Sequence, residues 1–175
     1  FTGNLAPTRT ITTAGTLTGP VGINLDGSGN LYVANGGANN VLVYANAANL
    51  NGNVAPTRVI TGNPAFNIAF DVFVDKNDRM YVVNFNGGKI NIFNNASTLN
   101  GTVAPDFTLT IPGALNLTAI AVDSGGRGYI VENNAPGKVH SYDGIATLNG
   151  ALPPTRTIAG TNTQLNGPIR VYLQE

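Results

Sequence analysis

The sequence predicts an all-β fold made of β-propeller blades, and three observations carry that prediction. The first is a repeat. The tag Ala-Pro-Thr-Arg at Ala6–Arg9 returns at Ala55–Arg58, as Ala-Pro-Asp-Phe at Ala104–Phe107, and as Pro-Pro-Thr-Arg at Pro153–Arg156. Its proline (Pro7, Pro56, Pro105, Pro154) steps by 49 residues each time. Leu-Asn-Gly recurs from Leu50, Leu99 and Leu148, an aspartate at Asp26, Asp75 and Asp123, and a tyrosine at Tyr32, Tyr81 and Tyr129. The second observation is that every unit holds four short apolar runs separated by turns of Gly and Asx residues. The third is that the first two runs of a unit are apolar on both faces. A period of roughly 40–50 residues with several strands per unit belongs to propeller blades rather than to helical solenoids.

The elements follow in order. Pro7–Thr12 reads as the outermost strand of a preceding blade. In the first full unit, Val21–Leu25 is a strand closed by Asp26-Gly-Ser-Gly-Asn30, a turn whose Gly and Asx residues supply the needed backbone conformations. Leu31–Ala34 follows, then the turn at 35–40, then Val41–Tyr44. A longer loop through Leu-Asn-Gly leads to Pro56–Ile60. Four runs of this length with turn chemistry between them make an antiparallel meander. The second unit repeats it with Phe70–Val74, Met80–Val83, Ile90–Phe93 and Phe107–Ile111. The third has Ala119–Val122, Gly128–Val131, Val139–Tyr142 and Thr155–Ile158. Ile169–Leu173 reads as the innermost strand of a fourth blade. A run such as Phe70-Asp-Val-Phe-Val74 is buried on both faces when blades stack around an axis, whereas a one-sided sheet alternates. No helical period of 3.6 persists over about ten residues anywhere.

The resulting division is a single propeller-type repeat domain over 1–175. It holds a strand of the preceding blade at 6–12, blade 1 at 19–61, blade 2 at 68–111, blade 3 at 117–158, and an inner strand at 168–175. This is about three and a half units, where propellers typically have 4–8 blades. Two readings of the partial ring stand side by side. The chain is a fragment of a longer protein, or copies complete one another as a ring or a filament. Phe1 is not an initiator Met, which also fits a processed chain or a fragment.

Composition narrows the partners. Charged residues make up 10% of the chain and the net charge is zero. That excludes the basic footprint a nucleic-acid partner requires and any electrostatic docking to anionic lipid. Polarity comes from Asn, Thr and Gly instead, a surface commoner outside the cell, so a secreted or cell-surface location is expected. There are no cysteines, hence no disulfide framework and no thiolate metal site. No apolar run reaches the roughly 18–20 residues of a membrane span. Asn95, Asn100 and Asn116 each open a glycosylation sequon.

Gly19-Pro-Val-Gly-Ile-Asn-Leu-Asp26, followed by Gly29-Asn-Leu-Tyr-Val-Ala-Asn35, resembles the NHL-repeat β-propellers and their bacterial secreted relatives. In those, the inner strand reads roughly G-P-x-G-I-A-V-D and the next G-N-L-Y-V-A-D or -N. Val122-Asp-Ser-Gly-Gly-Arg-Gly-Tyr-Ile-Val131 fits the template more loosely. The resemblance spans the whole chain. It implies fold far more than function, because such propellers include binding modules, scaffolds, hydrolases and lyases.

Candidate sites are few. No phosphate loop, dinucleotide-binding glycine pattern, His-Glu-x-x-His or Gly-x-Ser-x-Gly motif is present. His140, the one histidine, sits mid-blade at the repeat position of Leu42 and Asn91. Asp26, Asp75 and Asp123 read as turn caps, against a calcium-loop reading of Asp75-Lys-Asn-Asp78. Departures from the repeat are more informative. Gly22, Asp71, Ala119 and Arg170 share one inner-strand position, which puts opposite charges of Asp71 and Arg170 at equivalent places. Asn35 and Asn84 likewise align with Glu132.

The expected function is a non-catalytic module that binds other copies of itself, or a protein or carbohydrate ligand, without any cofactor. Its contact residues are expected to be Pro7, Arg9, Ile11, Asp71, Ile169, Arg170, Val171 and Tyr172. The alternative gathers Asp71, Asn84 and Glu132 around a divalent metal, in the manner of gluconolactonase-like propellers, as a metal-dependent lactonase-type hydrolase.

Overall fold

A computed structural model describes residues 3–13, 15–62 and 64–174. The first strand is short, β1 (Ile11–Thr12). Each of three units then runs through three longer strands, a 3-10 turn, a two-residue strand and an outer strand. Unit 1 is β2 (Pro20–Leu25), β3 (Leu31–Asn35), β4 (Asn40–Tyr44), the turn Ala47–Asn49, β5 (Gly52–Asn53) and β6 (Arg58–Thr61). Unit 2 is β7 (Ala69–Val74), β8 (Met80–Asn84), β9 (Lys89–Phe93), the turn Ala96–Thr98, β10 (Gly101–Thr102) and β11 (Phe107–Thr110). Unit 3 is β12 (Leu117–Val122), β13 (Gly128–Glu132), β14 (Lys138–Tyr142), the turn Ile145–Thr147, β15 (Gly150–Ala151) and β16 (Arg156–Ile158). The four main strands of each unit form an antiparallel meander in chain order, the blade that the repeat predicted. Each inner strand carries a bulge near its start, at Pro20/Ile23, Ala69/Asp71 and Leu117/Ala119. Such a bulge bends and twists a strand, as the curvature of a propeller's innermost strand requires.

The rim departs from expectation. β1 and the outer strands of blades 1 and 2 each take a further partner in parallel from the unit that follows them: β1 pairs with β5, β6 with β10, and β11 with β15. This gives the Leu-Asn-Gly motif its meaning. The Asn side chain accepts a backbone N–H from the preceding blade's rim, Thr10 to Asn51 at 2.9 Å, Val59 to Asn100 at 3.2 Å and Thr108 to Asn149 at 3.0 Å. The next residue, Gly52, Gly101 or Gly150, adopts φ of 83°, 72° and 87°, a region open to glycine and costly to most side chains. The tag arginine completes the stitch. Arg58 donates to the carbonyls of Ala96 and Leu99 at 2.7 and 2.8 Å, around the C-terminal end of the next unit's 3-10 turn, and Arg9 donates to Ala48 in the same way.

The core lies between blades. One buried cluster joins Tyr32, Val41, Ile60, Val72, Met80 and Phe93 across blades 1 and 2. A second joins Tyr81, Ile92, Leu109, Ile120, Ile130 and Tyr142 across blades 2 and 3. A third, smaller cluster packs Ile11 and Leu17 against Val33, Leu42 and Tyr44 on the outer face of blade 1. Double-sided burial of the strands is therefore explained by stacking.

Two expectations about the ends need correction. Only Ile11–Thr12 of Pro7–Thr12 is strand, and it pairs with blade 1 of this chain. Ile169–Leu173 is not a strand. It runs beside the inner strands, and among the described residues no strand forms a ladder with it. Among the described residues, no helix is long and apolar enough to cross a membrane.

Candidate functional site

The inner strands converge on an axial cleft of about 670 Å³. Its walls come from β2 (Ile23, Leu25), β7 (Asp71, Phe73), β12 (Ile120) and the segment through Tyr172. Ile23 and Leu25 are 64% and 60% exposed here, and Tyr172 is 87% exposed. An apolar cleft with one charged pair is the usual form of a small-ligand site.

That pair is Asp71 and Arg170. Arg170 Nη1 donates to Asp71 Oδ1 at 2.7 Å, and Nη2 donates to the Val21 carbonyl at 2.6 Å. One guanidinium thus ties the 168–174 segment to blades 2 and 1 across the axis. Asp71 Oδ2 also accepts the Ile120 N–H at 3.1 Å, which links blade 2 to blade 3. Gly22 leaves room for the carboxylate, because a Cβ there would lie 2.1 Å from Oδ1. Burial pushes the Asp71 carboxyl above its ordinary value, with the Ile120 N–H and the Arg170 guanidinium working against that rise. The charge alignment read from the repeat is therefore a real contact, made within one chain.

Glu132 and Asn84 serve a different task. Each accepts the N–H of the residue 17 positions earlier, as Asn35 also does, from Thr18 at 2.7 Å, Asn67 at 2.7 Å and Leu115 at 3.2 Å. This clamps the loop leading into each inner strand. From there a relay runs across the blade. In blade 2, Asn84 donates to Asn91 at 2.6 Å and Asn91 to Thr108 at 3.0 Å. In blade 3 the same positions are Glu132, His140 and Thr157, with Nε2 of His140 2.9 Å from Glu132 Oε2 and Nδ1 3.1 Å from Thr157 Oγ1. Lys138 adds a bond to Glu132 at 3.1 Å. Burial pushes the Glu132 carboxyl up, but the His140, Leu115 and Lys138 donors outweigh it and hold the group below its ordinary value.

A threonine, a histidine and a carboxylate in a row have the order of a nucleophile, base and orienting acid. Here Glu132 and His140 are buried inside blade 3 while Thr157 is exposed, and none of them lines the axial cleft. Sequence reading missed this relay, although the spacing of Asn91 to His140 and Thr108 to Thr157 was visible.

Asp71, Asn84 and Glu132 are thus engaged with separate partners. Among the described residues, no group of three or more His, Asp or Glu side chains is arranged to hold a metal ion. The turn aspartates cap their own turns. Asp26 accepts from Ser28 and Asn30, and Asp75 from Asn77 and Arg79. Asp123 accepts from Arg127 and Tyr129, and those bonds hold its carboxyl below the ordinary value. Asp78 turns instead to Ser97, accepting from its N–H at 2.9 Å and its hydroxyl at 2.7 Å. Of the sequon asparagines, Asn100 is the rim anchor described above and Asn116 donates to Asn134 at 3.0 Å. Asn95 is exposed.

The residues expected at a contact fall in two places. Pro7, Arg9 and Ile11 lie on the rim of blade 1, where Ile11 is partly buried. Arg170 and Val171 line the axial cleft with Tyr172, while Ile169 is exposed.

Comparison with solved structures confirms the architecture. Over 96% of its length the chain matches 42% of hydrazine synthase from Kuenenia stuttgartiensis, at 13% identity and a TM-score of 0.61. It matches, over 79% of its length, 18% of the extracellular domain of a B. thetaiotaomicron protein described as a one-component system, at 14% identity and a TM-score of 0.50. Virginiamycin B lyase from Staphylococcus aureus aligns over 79% of this chain and 44% of its own, at 15% identity and a TM-score of 0.49. The chain spans under half the length of each. These neighbours are propeller-like, and the shared feature is the fold. An enzyme and an extracellular domain both carry it, so function has to be argued from the site. No protein-family model matches the chain, and no curated protein matches it by sequence.

Proposed function

We propose that this protein is a non-catalytic, secreted or cell-surface propeller module that binds further copies of itself through its end blades. One observation carries the reading. The junctions between blades are built from the same parts each time, and the two outer blades present those parts to solvent. On blade 3, β16 pairs with β14 alone among the described strands, and Ile158 is 58% exposed. Among the described residues, the Arg156 side chain makes no hydrogen bond or ion pair, although its backbone pairs with Ser141. On blade 1, the inner-strand residues Ile23 and Leu25 face outward into the axial cleft. Apolar sheet surface with an open edge favours addition of another sheet, where backbone bonds and burial act together. A chain with so few charges offers little like-charge resistance to that. Pro7, Arg9, Ile11, Ile169 and Tyr172 fall on or beside these surfaces. A head-to-tail contact of this kind gives a ring when the rotation closes and a filament when it does not.

Sedimentation across a wide concentration range tests the reading. Association into species larger than one chain is the expected result. A chain that stays monomeric and stable at the highest concentration overturns it.

The lactonase-type alternative draws support from the axial cleft alone, where Asp71 is the acidic group among the described residues. Calcium or magnesium binding that is lost in Asp71→Asn is its test; unchanged metal uptake removes that reading.

A further inference from the structure

We propose that the segment Pro154–Ile158 of one copy seats on the rim of blade 1 of a second copy, in place of that copy's own Pro7–Ile11. This inference rests on the assembly reading and names its contact. The pentapeptide Pro-Thr-Arg-Thr-Ile occurs twice in the chain, at 7–11 and at 154–158. At the first occurrence the seat is visible. Thr10 N–H donates to Asn51 Oδ1 at 2.9 Å, and Gly52 N–H donates back to the Thr10 carbonyl at 2.7 Å. Arg9 donates to the Ala48 carbonyl, and Ile11 packs on Val33, Leu42 and Tyr44. Every group this seat recognises is duplicated at Arg156, Thr157 and Ile158.

Among the described residues the second occurrence has no seat, and it is shaped for one. At the two internal junctions, Val59 and Thr108 donate their N–H groups outward to Asn100 and Asn149 while their strands stay paired inward with β4 and β9. Thr157 holds the same repeat position and pairs inward with His140. Its segment therefore reaches a neighbouring rim without leaving blade 3. Segment 7–11 is held more weakly, because among the described strands β1 pairs with β5 alone.

Exchange trades like contacts for like at the rim, which is why swapping an identical element between protomers costs little. The gain comes from what the intramolecular arrangement leaves exposed: Ile158 enters the apolar slot, and the outer faces of blade 3 and blade 1 are brought together. Pro7–Ile11 then acts as a built-in competitor that sets the concentration at which copies join. The partner class is a second copy of this chain.

Because the chain has no cysteines, a disulfide trap reads the contact directly. Thr12 pairs with Asn53, and Ala159 holds the repeat position of Thr12. Single variants Asn53→Cys and Ala159→Cys, one carrying a mass tag, are mixed under mild oxidation at the associating concentration. The expected product is the mixed disulfide dimer. Adding Thr10→Pro to the Asn53→Cys copy removes the competing N–H and raises the yield about fivefold, the worth of one net hydrogen bond. Adding Thr157→Pro to the other copy abolishes it. Particles that associate by sedimentation without the mixed disulfide overturn the strand exchange and leave the assembly reading standing. A yield unmoved by Thr10→Pro also overturns the exchange. Monomers throughout overturn both.

Discussion

Blades 2 and 3 superimpose the same relay on the same scaffold with different chemistry. Asn84, Asn91 and Thr108 form a neutral chain of hydrogen bonds, while Glu132, His140 and Thr157 form one with a carboxylate, fed further by Lys138. Both versions clamp the loop into the inner strand, by the N–H of Asn67 or of Leu115. The fold thus specifies an acceptor at this point and leaves its charge open. An ionised acceptor buried to 1% exposure needs several donors, and blade 3 supplies them, whereas the amide of blade 2 is content with fewer.

The largest expected effect comes from breaking the charged version. Glu132→Ala leaves His140, Lys138 and the Leu115 N–H facing an empty acceptor position, and should cost about 3 kcal/mol. Asn84→Ala removes a neutral acceptor and should cost about 1–2 kcal/mol. Urea unfolding of both variants measures the gap; equal losses would show that charge in blade 3 is incidental.

Converting one blade into the other sharpens the comparison. Glu132→Asn with His140→Asn should stay within about 1 kcal/mol of the parent at neutral pH, since the relay remains satisfied and Lys138 turns to solvent. The two should separate in acid. The Glu132 carboxyl lies below its ordinary 4.5 in the folded protein, so its contribution is fully present above pH 4.5 and is lost as pH falls through the folded value. The double variant lacks that loss. Asp71 acts with the opposite sign. Its raised value means the folded state holds the proton more tightly, so its contribution favours acid and fades as pH rises from 3.8 through the folded value. Thermal melts at stepped pH check both, and an unchanged acid limb in the double variant refutes the Glu132 assignment.

A smaller loss is expected at the rim. Asn100→Ala leaves the Val59 N–H without its acceptor and should cost about 1 kcal/mol, felt as faster amide exchange at Arg58–Thr61. No change in exchange there would mean the Leu-Asn-Gly stitch is ornamental.

The smallest effect is a gain. The residue before each inner strand takes a left-handed conformation: Gly19 at φ 61°, Ile68 at 59° and Asn116 at 55°. Glycine and asparagine adopt it readily, and a β-branched side chain only at an energetic cost. Ile68→Asn should therefore stabilise by about 1 kcal/mol, less the little apolar burial lost from a partly exposed side chain. A destabilised variant would show that Ile68 earns its place by packing.

The period, the strands and the aspartate-capped turns were legible in the sequence because each depends on neighbours a few residues away. Asp26 reaches Ser28 and Asn30, and Asp75 reaches Asn77 and Arg79, so local spacing was enough. The Asp71–Arg170 contact was half legible. Aligning repeats exposed the opposite charges, but only the stacked blades put them 2.7 Å apart within one chain. The rim stitch joins residues 41 apart, Thr10 to Asn51 and Val59 to Asn100, and that separation is set by how one blade lies against the next. The same holds for Ile169–Leu173, whose sequence reads as strand. A ladder needs a paired neighbour as well as a suitable side-chain pattern, and tertiary structure decides whether that neighbour is there.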